Sequence, residues 1–202
     1  MELNIITFGY LFFRLAPFIL VCFFTLASFF NQDFKGLIYL IGLIFACFSA
    51  MMIGNSLSID PPDNTNELCN LITIGDTPAY SKLPLGQCIF GYTFAYLMFI
   101  ILKHRLLLQN LPTVIFFPFI MSIDILWNMS NNCYKLSQLL ISLIIGGLFG
   151  LLWAYVINKT KMTNLQYFNQ ISGKQACTRP SKSTFKCNVY KNGKLISGTT
   201  TA

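Results

Sequence analysis

Three short polar segments are spaced so that they can meet at one end of a helical bundle: Gly54 to Pro62, Leu83-Pro84-Leu85-Gly86-Gln87, and Asn128 to Gln138. Their chemically capable members include Asp60, Gln87, Asn128, Cys133, Tyr134 and Gln138. A hydrolytic centre built from them needs a proton donor, a nucleophile and donors for a developing anion. Glutamine cannot act as a general acid, and tyrosine, with a pKa near about 10, is a weak nucleophile unless a base activates it. Cys133 would have to be a thiolate, and no arginine cluster surrounds it to lower its pKa. His104, the one histidine, lies 17 residues after Gln87. At about 1.5 Å per helical residue that is roughly 25 Å away, at the other face of a bilayer.

The elements that must position these residues are apolar. Hydrophobic residues make up 54% of the 202-residue chain against 10% charged, which points to a membrane protein with one compact helical domain. A spanning helix needs about 20 mostly apolar residues, and five segments qualify: 8–30, 37–54, 86–102, 111–127 and 137–158. The fold class expected is an all-α transmembrane bundle of about five spans with a short, basic, β-hairpin-like C-terminal tail. Arg14 can extend its head from the first span to the interface, and Asp124, one turn from the outer end of the fourth, is expected to do the same. Glu2 and the lack of a basic amino-terminal region argue against a cleaved signal peptide.

Two spans carry small residues at every fourth position: Gly42, Ala46, Ala50 and Gly54 in the second, Ser142, Gly146, Gly150 and Ala154 in the fifth. Such stripes let helix backbones approach closely in lipid, so both are expected to face other helices, with each other as one arrangement. Pro118 is expected to kink the fourth span without further role.

Charge orients the bundle. The 44 residues from Lys159 onward hold eight basic and no acidic residues, whereas residues 1–158 sum to −1. Basic residues are retained on the cytoplasmic side, which places the tail there with Lys103, His104 and Arg105. The opposite face receives residues 55–84, where Asp60, Asp63, Glu67 and Asp76 stand against Lys82.

In the order and spacing of the three polar segments, the chain resembles the type-2 phosphatidic acid phosphatase superfamily, most closely its dolichyl-diphosphatase-like branch. Pro84-Leu85-Gly86-Gln87 stands at that family's Pro-Ser-Gly-His segment. Tyr134-Lys135-Leu136-Ser137-Gln138 stands at its His-x-x-Ser-Gln run, Asn128 at its second arginine, and Asp60-Pro61-Pro62 at its Arg-Pro segment. The resemblance covers about half the chain and implies a helical domain over 1–158 that once held a phosphate. Its chemistry is replaced throughout: Gly54 stands for the lysine, Pro61 and Asn128 for the arginines, Leu85 for the serine, Gln87 for the acid histidine and Tyr134 for the nucleophilic histidine. A phosphate needs charge-assisted donors, so Gln87, Asn128, Tyr134 and Gln138 read as degenerate positions, with no catalytic residue, metal or cofactor expected.

Three cysteines, Cys69, Cys88 and Cys133, fall on the outer face. In an oxidising lumen one pair of them can join, or all three can stay thiols; the spacing does not choose. Cys177 and Cys187 in the tail, without histidine, make no zinc site. The sequon Asn128-Met129-Ser130 abuts a span and is expected to stay unused.

Residues 159–184 read as a flexible basic linker, and 185–202 as an extended or hairpin tail, because Asn192-Gly193 separates two alternating runs. Phe185, Val189, Tyr190, Lys191 and Lys194 are its expected interaction residues. A lone hairpin is marginal in water, so the tail is expected to dock on a protein, a capsid-like layer or a membrane-associated partner, or to lie on anionic lipid. Nucleic acid is the weaker partner, since no motif accompanies the charge.

The reading implied by the resemblance is a catalytically inactive, phosphatase-like multi-pass membrane protein that tethers a membrane to a protein layer. It is similar to copies carried by large DNA viruses, which would place it in a virion inner membrane or a membrane derived from the endoplasmic reticulum. Two alternatives remain open: an active phosphatase acting on isoprenyl diphosphate or phosphatidate, and a lipid-binding or scrambling protein. A channel or transporter fits less well, for want of an inverted repeat and of intramembrane charge.

Overall fold

The computed structural model describes residues 5–57, 69, 82–160, 165–166, 185–191 and 194–201. The acidic residues of the 57–84 connection, the Asp60-Pro61-Pro62 segment and almost all of the linker lie outside them. So does Cys177. The chain divides into two units, Met1–Tyr167 and Phe168–Ala202.

The first unit is a bundle of five helices: α1 (Ile5–Phe30), α2 (Lys35–Ser56), α3 (Leu85–Lys103), α4 (Leu111–Ser130) and α5 (Leu136–Lys159). Among the described residues, four helical stretches are long and apolar enough to cross a membrane: Lys35–Ser56, Leu85–Lys103, Leu108–Ser130 and Leu136–Lys159. The described apolar stretch of α1, Leu15–Phe30, is shorter. The bundle's outside is as apolar as its core. Phe18, Phe23, Ile44, Phe116 and Leu148 are each 58–65% exposed, a surface that water would not tolerate and hydrocarbon would. The chain is thus built as a multi-pass membrane protein.

Three of the helices stop without a glycine. Gln32, Arg105 and Asn132 adopt positive φ (52°, 54° and 53°) just past α1, α3 and α4. In each case this residue's N–H bonds three residues back, and the next N–H bonds five back: Gln32 to Phe29 and Asp33 to Ser28, Arg105 to Leu102 and Leu106 to Ile101, Asn132 to Met129 and Cys133 to Asn128. This double bond pattern satisfies the last carbonyls and reverses the chain. For Gln32 and Arg105 the left-handed conformation itself costs about 1–2 kcal/mol.

At the centre stands α3, with Gln87, Cys88, Phe90, Gly91, Tyr92, Thr93, Tyr96, Leu97, Ile100 and Ile101 buried. It runs parallel to α5, and their backbones touch. A Cβ added at Gly146 would lie 2.1 Å from the Cys88 carbonyl oxygen, one at Gly150 2.3 Å from that of Tyr92, and one at Gly91 2.4 Å from that of Leu143. All eight stripe residues, Gly42, Ala46, Ala50, Gly54, Ser142, Gly146, Gly150 and Ala154, are buried. The stripes do not simply face each other, however. Gly146 and Gly150 meet α3, Gly42 accommodates the Tyr92 hydroxyl and the Trp153 ring, and Gly54 packs on Leu83. Ser142 also does more than stay small, since its Oγ donates to the Pro84 carbonyl at 2.6 Å.

Helix α2 is antiparallel to α3 and is held by polar contacts inside the bundle. The Tyr39 hydroxyl meets Thr93 Oγ1 at 2.5 Å, Tyr92 donates to the Tyr39 carbonyl at 3.1 Å, and Trp153 of α5 donates to the Ile38 carbonyl at 3.0 Å. The α1–α2 corner closes on Ser28, which bonds Asp33 Oδ1 at 2.6 Å and accepts the Gly36 N–H at 2.9 Å. In the second unit, β1 (Phe185–Lys191) and β2 (Lys194–Thr201) run antiparallel, with Lys191 opposite Lys194 and a register shift between Val189 and Tyr190.

Gly146→Ala is expected to cost about 1–3 kcal/mol, because backbone must move to admit the methyl group. At Gly147 the nearest atom to an added Cβ is 3.9 Å away, so Gly147→Ala is expected to stay within about 0.5 kcal/mol of the parent. Reversible unfolding in mixed detergent micelles compares the two.

Candidate functional site

The end of the bundle that carries the α2–α3 connection gathers the start of α3, the end of α4 and the start of α5. Pro84 opens α3 from an extended conformation, which places Gln87 in its first turn, completely buried. On α4, Asp124 and Asn128 are one turn apart and therefore share a face. Both are buried, at 9% and 6% exposure.

These three side chains form one cluster. Gln87 Nε2 donates to Asp124 Oδ2 at 2.5 Å, and Asn128 Nδ2 donates to the same oxygen at 3.1 Å and to the Asp124 carbonyl at 2.7 Å. Asp124 therefore does not reach the interface, as its place near the helix end suggests. Burial in α4 against α3 holds it inside, with amide donors in place of water. Gln87 Oε1, on the far side of the same amide, is buried without a hydrogen-bond partner, a local cost of about 1–3 kcal/mol.

The other positions singled out by sequence are placed apart from this cluster. Gln138 caps α5: its Oε1 accepts the Lys135 N–H at 2.8 Å, and its Nε2 donates to the Lys82 carbonyl at 3.2 Å, tying the approach to α3 onto the start of α5. Tyr134 stands half-buried at the α4–α5 corner. His104 is at the opposite end, its Nε2 3.4 Å from Gln166 Oε1. The tail residues Phe185, Val189, Tyr190, Lys191 and Lys194 lie on β1 and β2, in the other unit.

The cysteine pairing left open by the spacing is resolved in the structure. Cys69 and Cys133 form a disulfide with Cα atoms 5.5 Å apart. Cys88 remains a buried thiol. A nucleophilic role for Cys133 is thereby removed in the oxidised chain. Among the described residues, no group of three or more His, Cys, Asp or Glu side chains is arranged to hold a metal ion.

What the cluster can do chemically follows from its donors. The amides of Gln87 and Asn128 are the groups that could offer N–H bonds to an anion from these positions, and both are turned onto Asp124. Asp124 is the residue that reading along the sequence placed at the interface, whereas the structure buries it. Its four-residue spacing from Asn128 is the signal that places the two on one helical face.

Gln87→Leu is expected to destabilise the bundle by about 1–3 kcal/mol, the cost of leaving a buried carboxyl oxygen short of its donor, with a similar loss for Asn128→Leu. The double variant is expected to lose less than the two together, because both donors share Asp124 Oδ2. Unfolding of the two single variants and the double variant in micelles measures this coupling, and strict additivity would mean the two bonds act independently. No family model, curated protein or solved structure matches the chain.

Proposed function

We propose that this is a catalytically inactive, phosphatase-like multi-pass membrane protein whose bundle anchors a basic tail, and that the tail joins the membrane to a protein layer. One observation carries the reading: at the positions corresponding to the acid histidine and the second arginine of the phosphatase superfamily, Gln87 and Asn128 spend their donors on a buried carboxyl, Asp124. A phosphate arriving there would find those N–H groups engaged and a carboxyl in its place. Neither residue, nor Gln138, which is occupied as a helix cap, offers a nucleophile or a transferable proton.

The tail is assigned to the cytoplasmic side by the distribution of basic residues. Lys35, Lys103, Arg105 and Lys159 all belong to the end of the bundle at which α5 ends, and the chain after Lys159 adds seven more basic residues, against Lys82 and Lys135 at the opposite end. On this reading the hairpin of β1 and β2, marginal by itself, completes its folding on a partner, by strand addition at an exposed sheet edge. In a virion the partner would be the capsid-facing layer over an inner membrane.

Purified chain in lipid nanodiscs is expected to release no phosphate from isoprenyl diphosphate or phosphatidate. Turnover that disappears in Tyr134→Phe would overturn the reading in favour of an enzyme, and lipid transfer without turnover would favour a scrambling protein. Removal of residues 168–202 is expected to leave the bundle inserted while abolishing attachment of the protein layer. Unchanged attachment would dismiss the tether.

A further inference from the structure

The disulfide marks one face of the membrane and fastens one piece of chain. Cys133 is buried, at 7% exposure, and its N–H donates to the Asn128 carbonyl at 2.9 Å. The residue bonded to Cys69 is thus continuous with the Gln87–Asp124–Asn128 cluster. The connection that contains Cys69 leaves α2 at Leu57 and returns at Lys82, where Gln138 holds the Lys82 carbonyl and Leu83 packs on Gly54. Lys82 and Leu83 are therefore fixed where the chain re-enters the bundle, and the disulfide fixes Cys69 on Cys133. The disulfide lies at the opposite end of the bundle from Lys35, Lys103, Arg105 and Lys159.

We propose that Cys69–Cys133 is a redox-sensitive cross-link, made in an oxidising compartment at this end of the bundle, which ties Cys69 to the α4–α5 corner. The inference is independent of what the tail binds. Its chemistry balances by thiol–disulfide exchange. The thiolate of one cysteine attacks a donor disulfide of the oxidase or glutathione class, forming a mixed disulfide and releasing one donor thiol. The second cysteine's thiolate then displaces the other donor sulfur, so that two protein thiols lose two electrons and two protons and the donor is reduced to its thiols. Donor disulfides of this kind persist in lumenal, extracellular or periplasmic spaces and are scarce in a reducing cytosol. The bond consequently assigns sidedness by chemistry, separately from the charge bias, and the two assignments agree.

The test uses the full chain in the membrane where it is expressed. Free thiols are blocked with N-ethylmaleimide, the protein is denatured and reduced, and newly released thiols are tagged with a maleimide-polyethylene glycol that shifts the gel band. Two tags are expected in the parent and none in Cys69→Ser or Cys133→Ser; no tags in the parent, or two surviving in either variant, would overturn the assignment. In sealed microsomes, an impermeant maleimide is expected to reach Cys177 and Cys187 without detergent. Cys69 and Cys133, freed by a permeant reductant, should react only after detergent opens the vesicles, and the reverse pattern would overturn the sidedness.

Discussion

The contact on which the bundle depends is backbone against backbone between α3 and α5. Lipid tails are as apolar as leucine, so no hydrophobic force drives one helix onto another inside a bilayer, and association rests on close packing and internal polar bonds. Gly91, Gly146 and Gly150 remove the side chains that would hold the two helices apart, and carbonyl oxygens occupy the space instead. Once α3 and α5 are joined this closely, the Trp153 ring of α5 and the Tyr92 ring of α3 both project onto α2 at Gly42. The position of α2 is therefore a consequence of the first contact.

Polar bonds make the packing specific. Tyr39, Thr93 and Tyr92 link α2 to α3, Trp153 links α5 to α2, Ser142 links α5 to the start of α3, and Gln87 links α3 to α4. In a medium that offers no competing water, each of these groups must find a partner within the protein, and a shifted helix would leave several unpaired. The pattern differs from an active site in one respect: its donors and acceptors are directed at one another and leave little for a ligand. Gln87 Oε1 is the exception among the side chains of this network.

Much of this was legible in the residues. Long uncharged runs announce the helices, the fourfold spacing of small residues announces which faces are buried, and Asn128 to Gln138 announces a corner between two spans. What could not be read has physical causes. Gln32 and Arg105 close helices in a conformation that glycine usually supplies, so the usual stop signal is missing. A stripe of small residues shows that a helix is approached closely but not by which neighbour, which is why Gly146 and Gly150 turned out to meet α3. Asp124 near a helix end looks able to reach water, and only the three-dimensional meeting with Gln87 reveals that it turns inward. Cys69, Cys88 and Cys133 are equivalent along the sequence, and the fold separates the buried thiol from the joined pair.

The parallel pairing of α3 with α5 has a consequence for how the chain is made. Translation delivers α3, then α4, and only later α5, whose last turn follows that of α3 by 56 residues. At about 5–20 residues per second, that interval is roughly 3–10 s. During it, α3 is already in the membrane with the groove around Gly91 unfilled and the Pro84 carbonyl still waiting for Ser142. Biosynthesis of this protein therefore passes through a stage in which its central helix has neighbours on other sides but lacks its closest partner, and a ribosome stalled between α4 and α5 would leave that helix open to capture by the insertion machinery or by membrane quality control.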